Sequence, residues 1–590
     1  MEQRTFRAYV KGACASDGNK VFSLDGTAFF KDRFVSKFHG VDGGLLRELK
    51  ETVRSDPEEP VGSFCLVSID RDRSEFLVQF DPLGAYPCFV WRQGSAFAVS
   101  NNIHYINAIV TVAGGELTRT VLPYLGDFAL GSAYDVGSPY EEIHIVGPGQ
   151  TLGGGTKLEV LDRGLDPAGA ENDVSYDDSL ARAADRLRNR VEIVARTFEE
   201  RDVFFDLTGG MDSRIVLAAV VSRVPRPRWD YRTLFDHPHP DGHCAALFGE
   251  TYGLGRVQGI PWDHRRNMSA IERMRFETFV SMGVGPKYGW SITPPYADIA
   301  QLHGGYGEIA GSSPDAKRFL IQGEEPTYRS LPEQYLTRLG QMGLLRFFTP
   351  YGIEWLRGLL GSRLGEFEKA GVRPADAPLH YYNFGRLRSH FGVNSRLQSQ
   401  NRNYVDLLYD VQLQHCALRV DRVARAKGKV NLDLIRLVGG DEVAGLPMAA
   451  DQWDASLFAS DDLRIALQKP PITAQTPRMF DNAPEKRQIP PANGSPVSFR
   501  ARPDPRLAGY DASQVDMALR NTYRRWAFLE TYLPETRAMP ELNRRLDWEA
   551  IDGLLSQPLE TLQRYPNNVL VQTLCDCVIW HQEMELSVFE

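Results

Sequence analysis

The chain of 590 residues has no long apolar run, no basic surplus and no ordered set of cysteines. Each lack removes a class of function. No stretch approaches the roughly 20 apolar residues that a bilayer crossing requires, and no charged segment with an apolar core follows Met1. The reading therefore predicts no membrane partner and no export signal. With a formal net charge of −9, the chain has no basic footprint for nucleic acid. Its seven cysteines (Cys14, Cys65, Cys88, Cys244, Cys416, Cys575, Cys577) are scattered and odd in number. Without an export signal they read as reduced thiols in a cytoplasmic protein. Cys575-Asp576-Cys577 has no second pair and lies in an apolar helical run, which favours core packing. No internal repeat is present, and the length is too great for one core.

What is present centres on V-F-F-D-L-T-G-G-M-D-S-R-I-V-L-A-A at 203–219. An almost wholly apolar strand of this kind is typically buried in a parallel sheet. Thr208-Gly209-Gly210 then turns tightly into a helix opened by Asp212 and Ser213. Strand, glycine turn and helix N-terminus aim unpaired amides and the positive dipole end at one spot, an anion site. The spacing is not that of the Walker loop. It resembles the pyrophosphate-binding loop of the ATP pyrophosphatase group, Ser-Gly-Gly-x-Asp-Ser, with Thr208 keeping the first hydroxyl. The resemblance implies nucleotide contacts from Leu207, Thr208, Gly209, Gly210, Asp212 and Ser213. A second strand at 229–235 would bring Leu234 and Phe235 beside the base.

Residues 1–165 read as strands and turns rather than helices, with strands at 63–70, 75–81, 88–91 and 96–100. The words G-S-F-C-L-V-S-I-D, F-D-P-L-G-A-Y-P-C-F-V, F-A-V-S-N-N and E-E-I-H-I-V-G-P-G-Q occur in order. They resemble the N-terminal glutaminase domain of the asparagine synthetase superfamily. One departure bears on function. That glutaminase uses a cysteine thiol immediately after the initiator Met, with the α-amine as base. Here Glu2 stands in that place, and Cys14 is the nearest thiol. The expectation is a retained sandwich without glutaminase activity.

The resemblance implies an α/β fold: an Ntn-hydrolase-like αββα sandwich at 1–165 and a doubly wound parallel sheet of the ATP pyrophosphatase type at 172–450. A loop and helical extension follow at 451–590. A polar linker at 162–175 and a helix at 176–200 lead into the nucleotide loop. His237, His239 and His243 are close enough to suggest a metal cluster, but they lack a fourth converging ligand. The better reading is the start of a helix at Pro240-Asp241. A strand at 299–303 ends in Gly304-Gly305-Tyr306-Gly307-Glu308, at the strand end where doubly wound sheets bind ligands. This loop resembles the family's Gly-Glu-Gly-x-Asp-Glu, which holds Mg²⁺ and pyrophosphate. Overlaying Gly305-Tyr306-Gly307 on Gly-x-Gly implies nucleotide contacts from Gly304 and Gly305, a catalytic role for Glu308, and Asp212 with Glu308 on the metal. Tyr306 resembles the tyrosine of β-lactam synthetases.

Apolar spacing predicts helices at 334–348, 351–370 and 404–420. The family's catalytic lysine, four residues before an arginine, corresponds to Leu432 here. Lys429 and Lys427 are the nearest substitutes, with Lys486 and Arg487 in reserve on a Pro-rich loop at 466–507. Trp526, Trp548 and Trp580 are expected core anchors. Together these parts imply a ligase that uses ATP and Mg²⁺, adenylates a small-molecule or peptide carboxylate, and joins it to an amine. Tyr306 and Lys429 would act as base and transition-state cation. The missing thiol resembles the β-lactam synthetase and lasso-peptide cyclase branch, where the amine is substrate-borne. A leader-peptide or carrier partner is compatible with that branch. Free ammonia as donor and a non-catalytic nucleotide-binding protein stay open as alternatives.

Overall fold

The computed structural model describes residues 13–55, 59–155, 157–162, 174–223, 229–233, 239–257, 270–282, 296–312, 325–449, 454–457, 498–501, 506, 515–516, 519–582 and 586–589. It is mixed α/β, with antiparallel sheets in the first 162 residues and a parallel sheet beyond. Strict period-2 alternation builds the first part. From strand Lys20–Phe30, Phe22, Leu24, Ala28 and Phe30 pack with Phe64 and Leu66 against Leu45, Leu46 and Leu49 of helix Gly43–Ser55. The opposite face of that sheet presents Cys65, Phe76, Val78 and Phe80 to Cys88 and Val90 of a second sheet. Phe89 and Trp91, pointing the other way, share a core with Ile103, Ile106 and Val110 of helix Ile103–Val112. The layers are thus helix, sheet, sheet, helix. Helices Gly43–Ser55, Ile103–Val112 and Leu122–Leu130 correct the expectation that this region lacks helices. Ile103–Val112 and Leu122–Leu130 are apolar at most positions, so their period does not separate helix from strand, whereas the helical spacing of Leu45, Leu46 and Leu49 was present and passed over.

Among the described residues the parallel sheet has four strands, in the order Asp230–Arg232, Val203–Asp206, Tyr296–His303, Arg402–Asp406. In chain order this is 2-1-3-4, all parallel. Connections leave strands 1 and 3 toward opposite sides, so a crevice opens at their carboxyl ends. Helix Met211–Ser222 follows strand 1 and packs on helices Tyr176–Thr197 and Lys429–Ala444. The fourth strand corrects the helix expected at 404–420. R-N-Y-V-D is buried at every position, and the helix begins only at Val411. Only Tyr404 and Val405 of these five residues are apolar, so no alternating pattern marks the strand, and the apolar residues that follow it carried the helical reading.

One nearly fully buried helical stretch, Ala377–Tyr381 through Val393–Gln398, joins the two parts. Its middle, Tyr382–Arg386 and Arg388–Gly392, is π-helical, a widening that frequently marks functional sites. Arg388, 3% exposed, donates to the carbonyls of Gly84 and Val146 in the sandwich. Asp81 accepts the Ala85 and Tyr86 amides at 2.7 and 2.8 Å and the hydroxyl of Tyr409 from across the seam. Farther on, Trp580 is buried and its indole donates to the Pro139 carbonyl, whereas Trp526 and Trp548 are only partly buried. The last helices therefore dock on the sandwich. Strand Ser498–Ala501, inside the loop expected at 466–507, pairs antiparallel with Leu586–Phe589. Lys486 and Arg487 lie outside the described residues.

Arg388→Ala strands two buried carbonyls and is expected to cost about 2–4 kcal/mol. A urea titration should show the lowered midpoint. Arg388→Lys should recover little, because one ammonium does not match a guanidinium reaching two carbonyls.

Candidate functional site

The two glycine loops meet at the switch point. A Cβ on Gly304 would lie 3.0 Å from the Ser213 amide nitrogen, and one on Gly307 would lie 2.8 Å from the Asp212 Cβ. Only bare backbone fits there, which presses the second loop against the start of helix Met211–Ser222. The approach brings the Asp212 and Glu308 carboxyl groups together. Burial, chiefly, raises both out of the ordinary carboxylate range. The adjacent Glu308 charge and hydrogen bond raise Asp212 further, while Arg386, Asp212 and Tyr382 restrain Glu308. Oε2 of Glu308 is buried without a hydrogen-bond partner. Two touching carboxylates with an unsatisfied oxygen are a hard donor set suited to a divalent cation.

The first loop is closed by its own hydroxyls. Thr208 Oγ1 lies 3.0 Å from Ser213 Oγ and accepts the Gly210 amide at 3.2 Å. The Gly209 amide donates to Asp241 Oδ1 at 2.8 Å, so an acidic side chain holds one donor suited to an anion. His239 caps the helix that starts at Pro240, and His243 is buried within that helix. Leu207 is buried beneath the loop. His237, Leu234 and Phe235 lie outside the described residues.

Two expected catalytic side chains do not join the pair. Tyr306, fully buried and in the left-handed region (φ 73), donates to Ser395 Oγ at 3.3 Å, and Ser395 donates to Asp406 at 2.8 Å. Burial pushes its phenol well up, the wrong direction for a base. Lys429 is bound to Asp433 at 2.7 Å over the Tyr176 ring. Lys427 reaches Ser456 at 2.9 Å and Asp454 at 3.1 Å. Leu432 is core, 1% exposed. In this structure Tyr306 is sealed in the seam and Lys429 is ion-paired to Asp433 on a different face of its helix from Asn431.

What the helix brings instead is Asn431, fully buried, with Nδ2 3.4 Å from Asp212 Oδ1 and 3.3 Å from Ser312 Oγ. Sequence reasoning passed it over because a lone Asn carries no motif. It also passed over the role of Arg214. This guanidinium, 0% exposed, donates to the carbonyls of Ala444, Leu446 and Pro447 at 3.3, 2.5 and 2.8 Å. It ties the segment after helix Lys429–Ala444 to the helix that opens the site. Burial lowers it to about 10, still charged near neutrality. The one available signal was its position, a charge inside an otherwise apolar helix. Cys14 is exposed within strand Ala13–Asp17, paired through Ser23. Cys575 and Cys577 are buried in helix Asn567–His581. No protein-family model and no curated protein matches this chain.

Because both carboxyls titrate above the unfolded value, the metal-free fold holds a proton that the unfolded chain releases from about pH 4 upward. Stability should therefore fall as pH rises from about 4 through the raised native range. In EDTA, Glu308→Gln should flatten that decline and raise the urea midpoint at pH 7.5 relative to wild type, with little difference below pH 4.

Proposed function

We propose that this chain is an ATP-dependent, AMP-forming carbon–nitrogen ligase of the asparagine synthetase type. It activates a substrate carboxylate as its adenylate and joins it to a substrate-borne amine. The observation that carries this reading is the convergence of Thr208–Ser213 and Gly304–Glu308 at the switch point of a 2-1-3-4 parallel sheet, with Asp212 against Glu308. The helix–sheet–sheet–helix layering before it is consistent with an Ntn-like sandwich. The placement of Cys14 inside a paired strand supports the reading that the sandwich lacks the thiol–amine pair of a glutaminase.

Asp212 and Glu308 fit Mg²⁺, which would neutralise the pair and the charge gathering on leaving pyrophosphate. The chain's own part is electrostatic. The Met211–Ser222 N-terminus and the Thr208 and Ser213 hydroxyls face the phosphates. Asp241 leaves the Gly209 amide when a phosphate oxygen arrives, because two anions cannot share one donor. Gly304 and Gly307 keep the second loop close enough to exclude water.

A second reading, a nucleotide-binding protein without catalysis, is favoured by the buried Leu432 and by Lys427 and Lys429 being committed to other carboxylates. The two separate in one assay: the pure protein with Mg-ATP, glutamine and pools of acids, amines and ammonium, followed for pyrophosphate and glutamate. Substrate-dependent pyrophosphate without glutamate is expected, and Asp212→Ala should lower it by roughly two orders of magnitude or more. Nucleotide binding with no pyrophosphate from any pool would favour the second reading. Glutamate release would overturn the account of the sandwich.

A further inference from the structure

Asp212 and Glu308 make a short ligand set for a divalent ion. Among the described residues no group of three or more His, Cys, Asp or Glu side chains could hold a metal. The next polar side chain against the pair is Asn431, in the first turn of helix Lys429–Ala444. It is fully buried, and its carbonyl Oδ1 has no hydrogen-bond partner. An amide carbonyl left unsatisfied in a closed interior costs about 1–3 kcal/mol. The amide nitrogen is used, by Asp212 and Ser312 at long distances of 3.4 and 3.3 Å, but the carbonyl oxygen is not.

We propose that Asn431 is the third oxygen ligand of the cation held by Asp212 and Glu308, an inference that rests on reading that pair as cation ligands. A half-turn about the terminal side-chain bond exchanges the amide nitrogen and oxygen. The amide then presents its carbonyl oxygen on the side where Nδ2 now lies 3.4 Å from Asp212 Oδ1. Neighbouring ligands of an octahedral cation with bonds of about 2.1 Å lie about 3 Å apart, so the displacement required is small. The same half-turn gives up the two Nδ2 bonds and turns an NH₂ to the side where the oxygen had no partner, a cost of about 1–3 kcal/mol that the bond to the cation must offset. Asn431 is thus a neutral donor one residue before Leu432. It contributes an oxygen where a positive charge would repel the ion.

The test is Mn²⁺ binding to the full-length protein, read from the loss of the free-ion EPR signal, with and without a non-hydrolysable ATP analogue. Asn431→Leu, of similar size and without an oxygen, should raise the Mn²⁺ Kd about tenfold with unchanged circular dichroism. Asn431→Asp should tighten binding, since it supplies an anionic oxygen in the same place. Wild-type affinity in both variants, with binding lost in Asp212→Asn, would overturn the role of Asn431 and leave the carboxylate pair standing. Absence of Mn²⁺ binding in the wild-type protein, with and without the analogue, would overturn this inference together with the cation reading of the pair.

Discussion

Two carboxyl groups in contact inside a desolvated cleft oppose folding, and the rest of the site is built to hold them together. The contact between Asp212 and Glu308 exists because Gly304 and Gly307 have no side chains to keep their loop off the helix that carries Asp212. The helix start is pinned in turn: Ser213 and Thr208 close the loop behind it, and Arg214 ties its first turn to three carbonyls of the segment after helix Lys429–Ala444. The first is local and the second spans more than 200 residues, and both hold the helix start in place.

The second constraint is the seam between sandwich and parallel sheet. It is polar and buried, with Asp81, Asp406, Ser395, Tyr306, Tyr409 and Arg388 nearly free of solvent. Its carboxyl groups are held as much by hydroxyl donors as by cations. Asp81 takes Tyr409 and two amides, and Asp406 takes Ser395. Burial pushes Asp406 up to about 8, so near neutrality it is largely protonated and a neutral neighbour for Tyr306. The π-helical middle of the joining stretch serves both sides. Tyr382 and Arg386 act on Glu308, while Arg388, two residues on, grips the sandwich backbone. Site and interface thus take side chains from one helical stretch.

The glutaminase-like words in the first 155 residues lie where the sandwich forms. In F-D-P-L-G-A-Y the Asp81 carboxylate closes the turn onto Ala85 and Tyr86. The strand at 203–206, its glycine turn and its helix were legible because they are contiguous: a buried apolar strand, a turn that needs glycine, and a helix start occupy seventeen neighbouring positions. The strand expected at 299–303 is the second half of Tyr296–His303 and was legible for the same reason. The fourth strand was not, because Arg402, Asn403 and Asp406 are polar side chains buried by tertiary contacts, and no local pattern announces that burial. Nor was the engagement of Lys429, since the choice of Asp433 as its partner depends on how one helix is rotated.

The sequence by itself determined the short-range grammar: where apolar strands end in glycine turns, which acidic residues follow them, and which residue classes are missing. Those features depend on backbone geometry over a few residues, and local sterics decide it. Only the tertiary structure decided which side chains meet across long sequence separations. Asp212 with Glu308, Asn431 with Asp212, Arg214 with the carbonyls of 444–447 and Tyr409 with Asp81 are all contacts of that kind. They are settled by strand order and helix rotation, which follow from the burial of the whole core and are not encoded at any one of the positions that meet.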